Sequence, residues 1–318
     1  MSAPTSAVEQ AFVRAQERAL RHYGVDGESR FVDVGVLDGR AHVLVAGEGP
    51  PALLVPGAGL PAAMWAPLMA ELTGFSLYAV DLPGLGLTDS TAYSWRTVRS
   101  FSGRFLDQVA TGLGLERPVL VGSSVGGQWS TWRALDRPER IEALVLIGCP
   151  AGLLGTSAPL PLRLLTLPGV GWLANRLQPP SPKQVDQVAR MAGEDFSEHV
   201  ELRDLLVAAE RLPTWSASLV PLVRTVVTVR GGRPGATITT EELRRLQIHV
   251  QVVWGDHDPF GGPEIGQRAV DLIPDAELHV VPGGHGPWFL GAERIAALLR
   301  PVLERHTTGP QRPTNPSG

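Results

Sequence analysis

The chain has one cysteine in 318 residues, Cys149. An intramolecular disulfide is therefore excluded, and so are thiolate clusters of the structural zinc type. Cys149 closes the apolar run LVLIGCP, which predicts a buried packing thiol. No apolar run reaches the roughly 18 residues that a membrane-spanning helix needs. The start, MSAPTSAVEQ, lacks the basic end and apolar core of a secretory signal. A cytoplasmic location without a membrane span is the expectation. Charge of either sign is not in excess: 28 basic against 32 acidic side chains leave a net −4. This gives no electrostatic reason to expect nucleic acid as a partner. Internal repeats are absent.

Apolar residues make up 43% of the chain, enough for a sizeable core. The length suits one α/β domain with an insertion. Residues 6–23 read as an amphipathic helix with Val8, Phe12, Ala15, Ala19 and Tyr23 on one face, packed on the body. The segments 31–37 and 41–47 read as a hairpin turning at Asp38-Gly39. Strands at 52–56, 76–81, 118–123 and 143–148 alternate with helices at 62–73, 95–112 and 125–135. Continuous apolar strands separated by helices predict a mostly parallel sheet buried on both faces. From 150 to 246 the pattern is helical and proline-rich. Then strand 249–255, helix 263–272, strand 277–281 and helix 288–305 resume the rhythm. The expected organisation is an N-terminal lead-in at 1–30 and a core of 31–149 with 247–306. A helical cap at 150–246 enters after the sixth strand, and a disordered polar tail covers 307–318.

The loop VPGAGLPA at 55–62 has two readings. It fits the G-x-G-x-x-A dinucleotide pattern, with Asp81 ending the next parallel strand. It also fits a loop whose backbone N–H groups stabilise a developing oxyanion, each such donor contributing on the order of 3 kcal/mol to the barrier.

Further along, VGSSVGG meets G-x-S-x-G at Gly122, Ser124 and Gly126, between a strand and a helix. Ser124 is the candidate nucleophile, and Ser123 points elsewhere. The Val125 N–H sits at the helix start, where the dipole favours negative charge. A serine hydroxyl needs a base. VVWGDHDPF places Asp256 and Asp258 after a buried strand, and VVPGGHGPW places His285 after the last one. The order Ser, Asp, His suits a nucleophile, its orienting acid and its base. His257 reads as structural or pocket-lining.

The pieces LLVPGAG, YAVDLPGLGLTD, VGSSVGG, VWGDHDPF and GGHGPW together resemble the α/β-hydrolase fold superfamily, in its cap-containing branch. The resemblance spans roughly residues 31–300 and sets the dinucleotide reading aside. It implies an α/β fold with a metal-free, cofactor-free serine site. It also assigns the acid: G-x-x-D counted from Gly255 gives Asp258, leaving Asp256 to brace the turn. The oxyanion donors it implies are the amides of Ala58 and Val125. Two departures stand out. Pro56-Gly57 replaces the usual His-Gly, so the loop needs bracing from elsewhere, and Leu85 replaces a histidine.

The apolar stretch 153–178 predicts a cap face turned to an apolar small-molecule substrate. Gly57, Trp65 and Trp288 are candidate pocket residues, while Trp129 reads as core. Arg224, Arg230 and Arg233 read as a solvated face, with carboxylate binding as the alternative. The expected function is cleavage of an ester, thioester or lactone by a monomer or homodimer. The alternatives are carbon–carbon bond hydrolysis of a diketone-like substrate, cofactor-free perhydrolase, lyase or cyclase chemistry, and slow-turnover ligand binding. Carbon–carbon hydrolases of this type often carry Asn before the nucleophile, where this chain has Ser123.

Overall fold

In the computed structural model, which describes residues 6–167, 169–170 and 179–305, one eight-stranded sheet runs through the molecule. Its strands are β1 (Gly27–Val34), β2 (Gly39–Ala46), β3 (Pro51–Val55), β4 (Ser76–Val80), β5 (Val119–Ser123) and β6 (Leu144–Ile147). A two-strand hairpin, β7 (Val227–Thr228) with β8 (Gly231–Gly232), lies outside it, and β9 (Val250–Gly255) and β10 (Ala276–Val281) complete it. The order is β1-β2-β4-β3-β5-β6-β9-β10. Only β2 runs against its neighbours; from β4 to β10 all pairs are parallel.

The parallel strands are continuous apolar runs because both faces are covered. Every residue of β5, β6 and β9 is buried. Burying each such leucine or valine contributes roughly 1.5–3 kcal/mol. Helices α1 (Ala7–His22), α2 (Ala66–Glu71), α3 (Val98–Gly112) and α4 (Ser124–Asp136) precede β6. Trp129 of α4 is wholly buried against Phe101, Phe105 and Tyr93, in keeping with its reading as core.

Three local expectations shift. Strand β1 begins at Gly27, inside the segment read as lead-in. The hairpin does not turn at Asp38-Gly39 alone. Gly39 already pairs with Val34, and the connection is 35–38, with Asp38 at φ 51°. Helix α1 buries Phe12, Ala15, Gln16, Ala19 and Leu20, leaving Val8 exposed. It packs chiefly on the helix Val200–Glu210. The Tyr23 hydroxyl lies 2.8 Å from His199 Nδ1, and His22 pairs with Glu201.

Between β6 and β9 the chain forms helices at Leu160–Leu164, Pro182–Met191, Val200–Glu210, Pro213–Val226 and Thr240–Arg244. Part of the apolar stretch, residues 168 and 171–178, lies outside the described residues, as does the tail 307–318. Among the described residues, no helix is long and apolar enough to cross a membrane.

Candidate active site

Parallel strands place the loops that follow them on one edge of the sheet, and the candidate residues stand there. Ser124 follows β5 directly and opens α4, with φ +52°. A non-glycine residue in this region is strained, and such strain is typical of a tight strand-to-helix turn that lifts a side chain out of the sheet. The flanking glycines are a steric requirement. A Cβ on Gly126 would collide with the carbonyl oxygens of Val55 and Pro56, and one on Gly122 would come within 2.7 Å of Gly127 Cα. The turn can close only because both lack a side chain. Ser123 is buried, its hydroxyl without a hydrogen-bond partner.

Asp258 follows β9 and His285 follows β10. His285 Nδ1 lies 2.9 Å from Asp258 Oδ2 and 3.1 Å from Oδ1. The Asp258 carboxylate also accepts the N–H groups of Cys149 at 2.8 Å and Phe260 at 2.9 Å. It is fixed from three sides, and its side chain is fully buried. The Phe260 ring stacks on the imidazole, centroids 4.0 Å apart. His285 Nε2 is buried without a hydrogen-bond partner. Asp256 does the bracing instead: it accepts the Gly283 N–H at 3.0 Å and pairs with His257 at 2.6 Å. The Gly283 N–H, then His257, hold its carboxyl below the usual range. His257 is mostly exposed and is not among the residues that line the cavity beside Ser124.

Ser124, His285, Ala58 and Val125 line one cavity of about 430 Å³ under the inserted helices. The Val125 N–H belongs to the first turn of α4, where a helix leaves donors unpaired. Gly57 and Trp288 line the same cavity. Trp65 does not: it is buried behind the wall, stacked on Trp288 with centroids 4.4 Å apart. Most of the remaining wall is apolar, including Leu162, Leu165, Leu206, Trp215, Leu219 and Val223.

The bracing that Pro56 cannot supply comes from Asp81. This buried carboxylate accepts the N–H of Ala62 at 2.6 Å and of Leu87 at 2.8 Å, and meets His42 Nδ1 at 2.7 Å. His42 Nε2 lies 2.9 Å from the Ser29 hydroxyl. The network ties β1, β2 and β4 to the loop that carries Ala58. The arginines near the end of the insertion serve structure. Arg224 donates to the Thr166 carbonyl at 2.7 Å and Arg233 to the Arg224 carbonyl at 3.0 Å, while Arg230 is exposed.

One residue that motif reasoning missed stands beside the histidine. Glu194, between the helices Pro182–Met191 and Val200–Glu210, accepts the Gly286 N–H at 2.6 Å. The neighbouring Ala192 carbonyl accepts the His285 N–H at 3.0 Å. Glu194 Oε2 is buried without a partner. Burial pushes this carboxyl up to about 7, against the pull of the Gly286 N–H and His285. Cys149 is buried as expected, and burial pushes its thiol up.

The chain is similar to known proteins in sequence and fold. The model of the alpha/beta hydrolase family fits residues 52–298. A 2-hydroxy-6-oxononadienedioate/2-hydroxy-6-oxononatrienedioate hydrolase of Cupriavidus pinatubonensis is 29% identical over 80% of this chain and 87% of its own length. Carboxylesterase YbfK of Bacillus subtilis is 25% identical, covering 86% of this chain and 87% of that one. The crystal structure of that carboxylesterase superposes with a TM-score of 0.71, covering 94% of this chain and 98% of the other.

Proposed function

The chain belongs to the alpha/beta hydrolase family, and from that premise we propose that it cleaves an ester, thioester or lactone of an apolar small molecule through an acyl-enzyme on Ser124. The observation that carries this reading is the convergence of the strained serine and the Asp258–His285 pair on one apolar cavity. Ser124 Oγ attacks the carbonyl carbon while His285 Nε2 takes the hydroxyl proton. Asp258 holds Nδ1–H, which fixes the tautomer and stabilises the imidazolium. The N–H groups of Ala58 and Val125 receive the oxyanion. His285 then gives its proton to the leaving group, and a water deprotonated by the same nitrogen releases the acid. The inserted helices act as the cap that excludes bulk water from this cavity.

A second reading, carbon–carbon bond hydrolysis, is favoured by the 29% identical Cupriavidus relative. That protein's named substrate is a dicarboxylate, however, and no lysine or arginine among the described residues lines the cavity. The experiment is steady-state turnover of p-nitrophenyl esters beside a dienol diketone analogue, with the unaltered protein and with Ser124→Ala. Ester turnover that disappears in the variant supports the proposal. Turnover of the dienol alone supports the second reading, and ester turnover that survives in Ser124→Ala contradicts the acyl-enzyme.

A further inference from the structure

The cavity has two carboxyls and no described cation. Glu194 lies at the histidine end, 5% exposed, with Oε1 on the Gly286 amide and Oε2 buried and unpartnered. Glu210, at the end of the helix Val200–Glu210, lines the same cavity and bonds the Gln184 side chain. Gln184 lines it too, with its carbonyl oxygen buried and unpartnered. Most of the rest of the described lining is apolar. Neither carboxyl has an ion-pair partner among the described residues, and His285 is the only basic side chain in the described lining. His285 and Asp258 face Glu194 from the adjoining loops, and only Gln184 bears on Glu210.

A carboxyl that folding buries without a cation tends to keep its proton at mild acidity and to carry charge only above it. Burial pushes Glu194 up to about 7 and Glu210 up to about 6. Above these values both are anionic inside an apolar enclosure, where like charges repel far more strongly than in water. A ligand bearing its own carboxylate meets this repulsion with no compensating arginine among the described residues. A neutral chain avoids it, and a cationic group gains from it. Buried acceptors such as Glu194 Oε2 and Gln184 Oε1 also favour a ligand that donates hydrogen bonds.

We propose that Glu194 and Glu210 make this cavity charge-selective, so that it takes neutral or cationic apolar substrates and rejects anionic ones. The proposal deepens the hydrolase reading in one respect only, that substrate enters this cavity.

The test measures equilibrium binding to the Ser124→Ala protein, so no turnover is required. Fluorescence of Trp215 and Trp288, both in the wall, supplies the signal. The probes are hexanamide, hexyltrimethylammonium and hexane-1-sulfonate, whose charges do not change between pH 5.5 and 8. At pH 8 the sulfonate should bind at least about tenfold more weakly than the amide, and the ammonium at least as tightly as the amide. The gap should narrow at least about threefold at pH 5.5, and likewise when Glu210→Gln or Glu194→Gln is added. Glutamine keeps an oxygen for the Gly286 amide, and the two glutamine variants are read separately, so one that folds poorly does not block the test. A sulfonate that binds as tightly as the amide at pH 8 overturns the proposal. A gap that both glutamine variants leave unchanged overturns it too, whatever its response to pH, as does failure of every probe to bind. Ester turnover by the unaltered protein is scored separately. Esterase activity without charge discrimination defeats only this inference, and discrimination without esterase activity defeats only the hydrolase reading.

Discussion

Asp258 holds His285 by both carboxylate oxygens while the backbone of Cys149, at the end of β6, holds Asp258. The acid is thus anchored both to the segment that follows β6 and, through the Phe260 amide, to its own loop. Asp258→Asn should lower kcat on an ester by about 10³–10⁴-fold with KM nearly unchanged, because the imidazole loses its tautomer and its counter-charge. Asp256→Asn should change kcat less than about threefold, since Asp256 meets only the exposed His257 and the Gly283 amide. Comparing kcat for the two variants decides which aspartate is the acid.

Gly126→Ala forces a methyl into the carbonyls of Val55 and Pro56. The strand β3 and helix α4 must separate to admit it. A loss of about 1–3 kcal/mol is expected in urea unfolding, with loss of activity larger than stability alone explains. Gly103→Ala, in α3 with open space around it, should be neutral or stabilising in the same assay.

Glu194 also leaves a signature in stability. Its folded value, about 7, is above its ordinary 4.5, so the folded chain retains a proton that the unfolded chain releases. That contribution is fully present below about pH 4.5 and is lost as pH rises through 7. Glu194→Gln should therefore become more stable relative to the parent as pH rises, with a gain approaching roughly 3 kcal/mol by pH 8. Denaturant unfolding of both proteins at pH 5 and pH 8 reads this difference, and a constant difference would contradict it.

His42→Ala removes a partner from the wholly buried Asp81, whose other oxygen holds the Ala62 amide close to the Ala58 loop. A cost of about 3 kcal/mol is expected in thermal unfolding. The surviving folded fraction should show a lower kcat with a smaller change in KM, because an oxyanion donor works only when held in place.

The sheet was legible in the sequence because its parallel strands are buried on both faces, so VLVGS, LVLI and VQVVWG are mostly apolar, with Ser123 and Gln251 as their polar residues. The serine turn was legible because Gly122 and Gly126 answer to sterics between chain segments that meet at the turn. Trp65 was misread because nearness to a loop in sequence says nothing about which ring stands in front, and here Trp288 does. His42 escaped notice because it reaches Asp81 through the pairing of β2 with β4, which no local pattern announces. Glu194 is 92 residues from the amide it binds, and only the docking of the insertion brings the two together. Motifs carry local backbone constraints; partners recruited by the insertion leave no such trace.

In the proposed mechanism His285 activates Ser124. The direct measurement is labelling with a fluorophosphonate, located by peptide mass spectrometry in the unaltered protein and in His285→Ala. The account predicts a single adduct on Ser124 that is lost, or slowed by at least about 10³-fold, in the variant. An adduct on another residue, no adduct, or labelling of Ser124 at the same rate without His285 would contradict it.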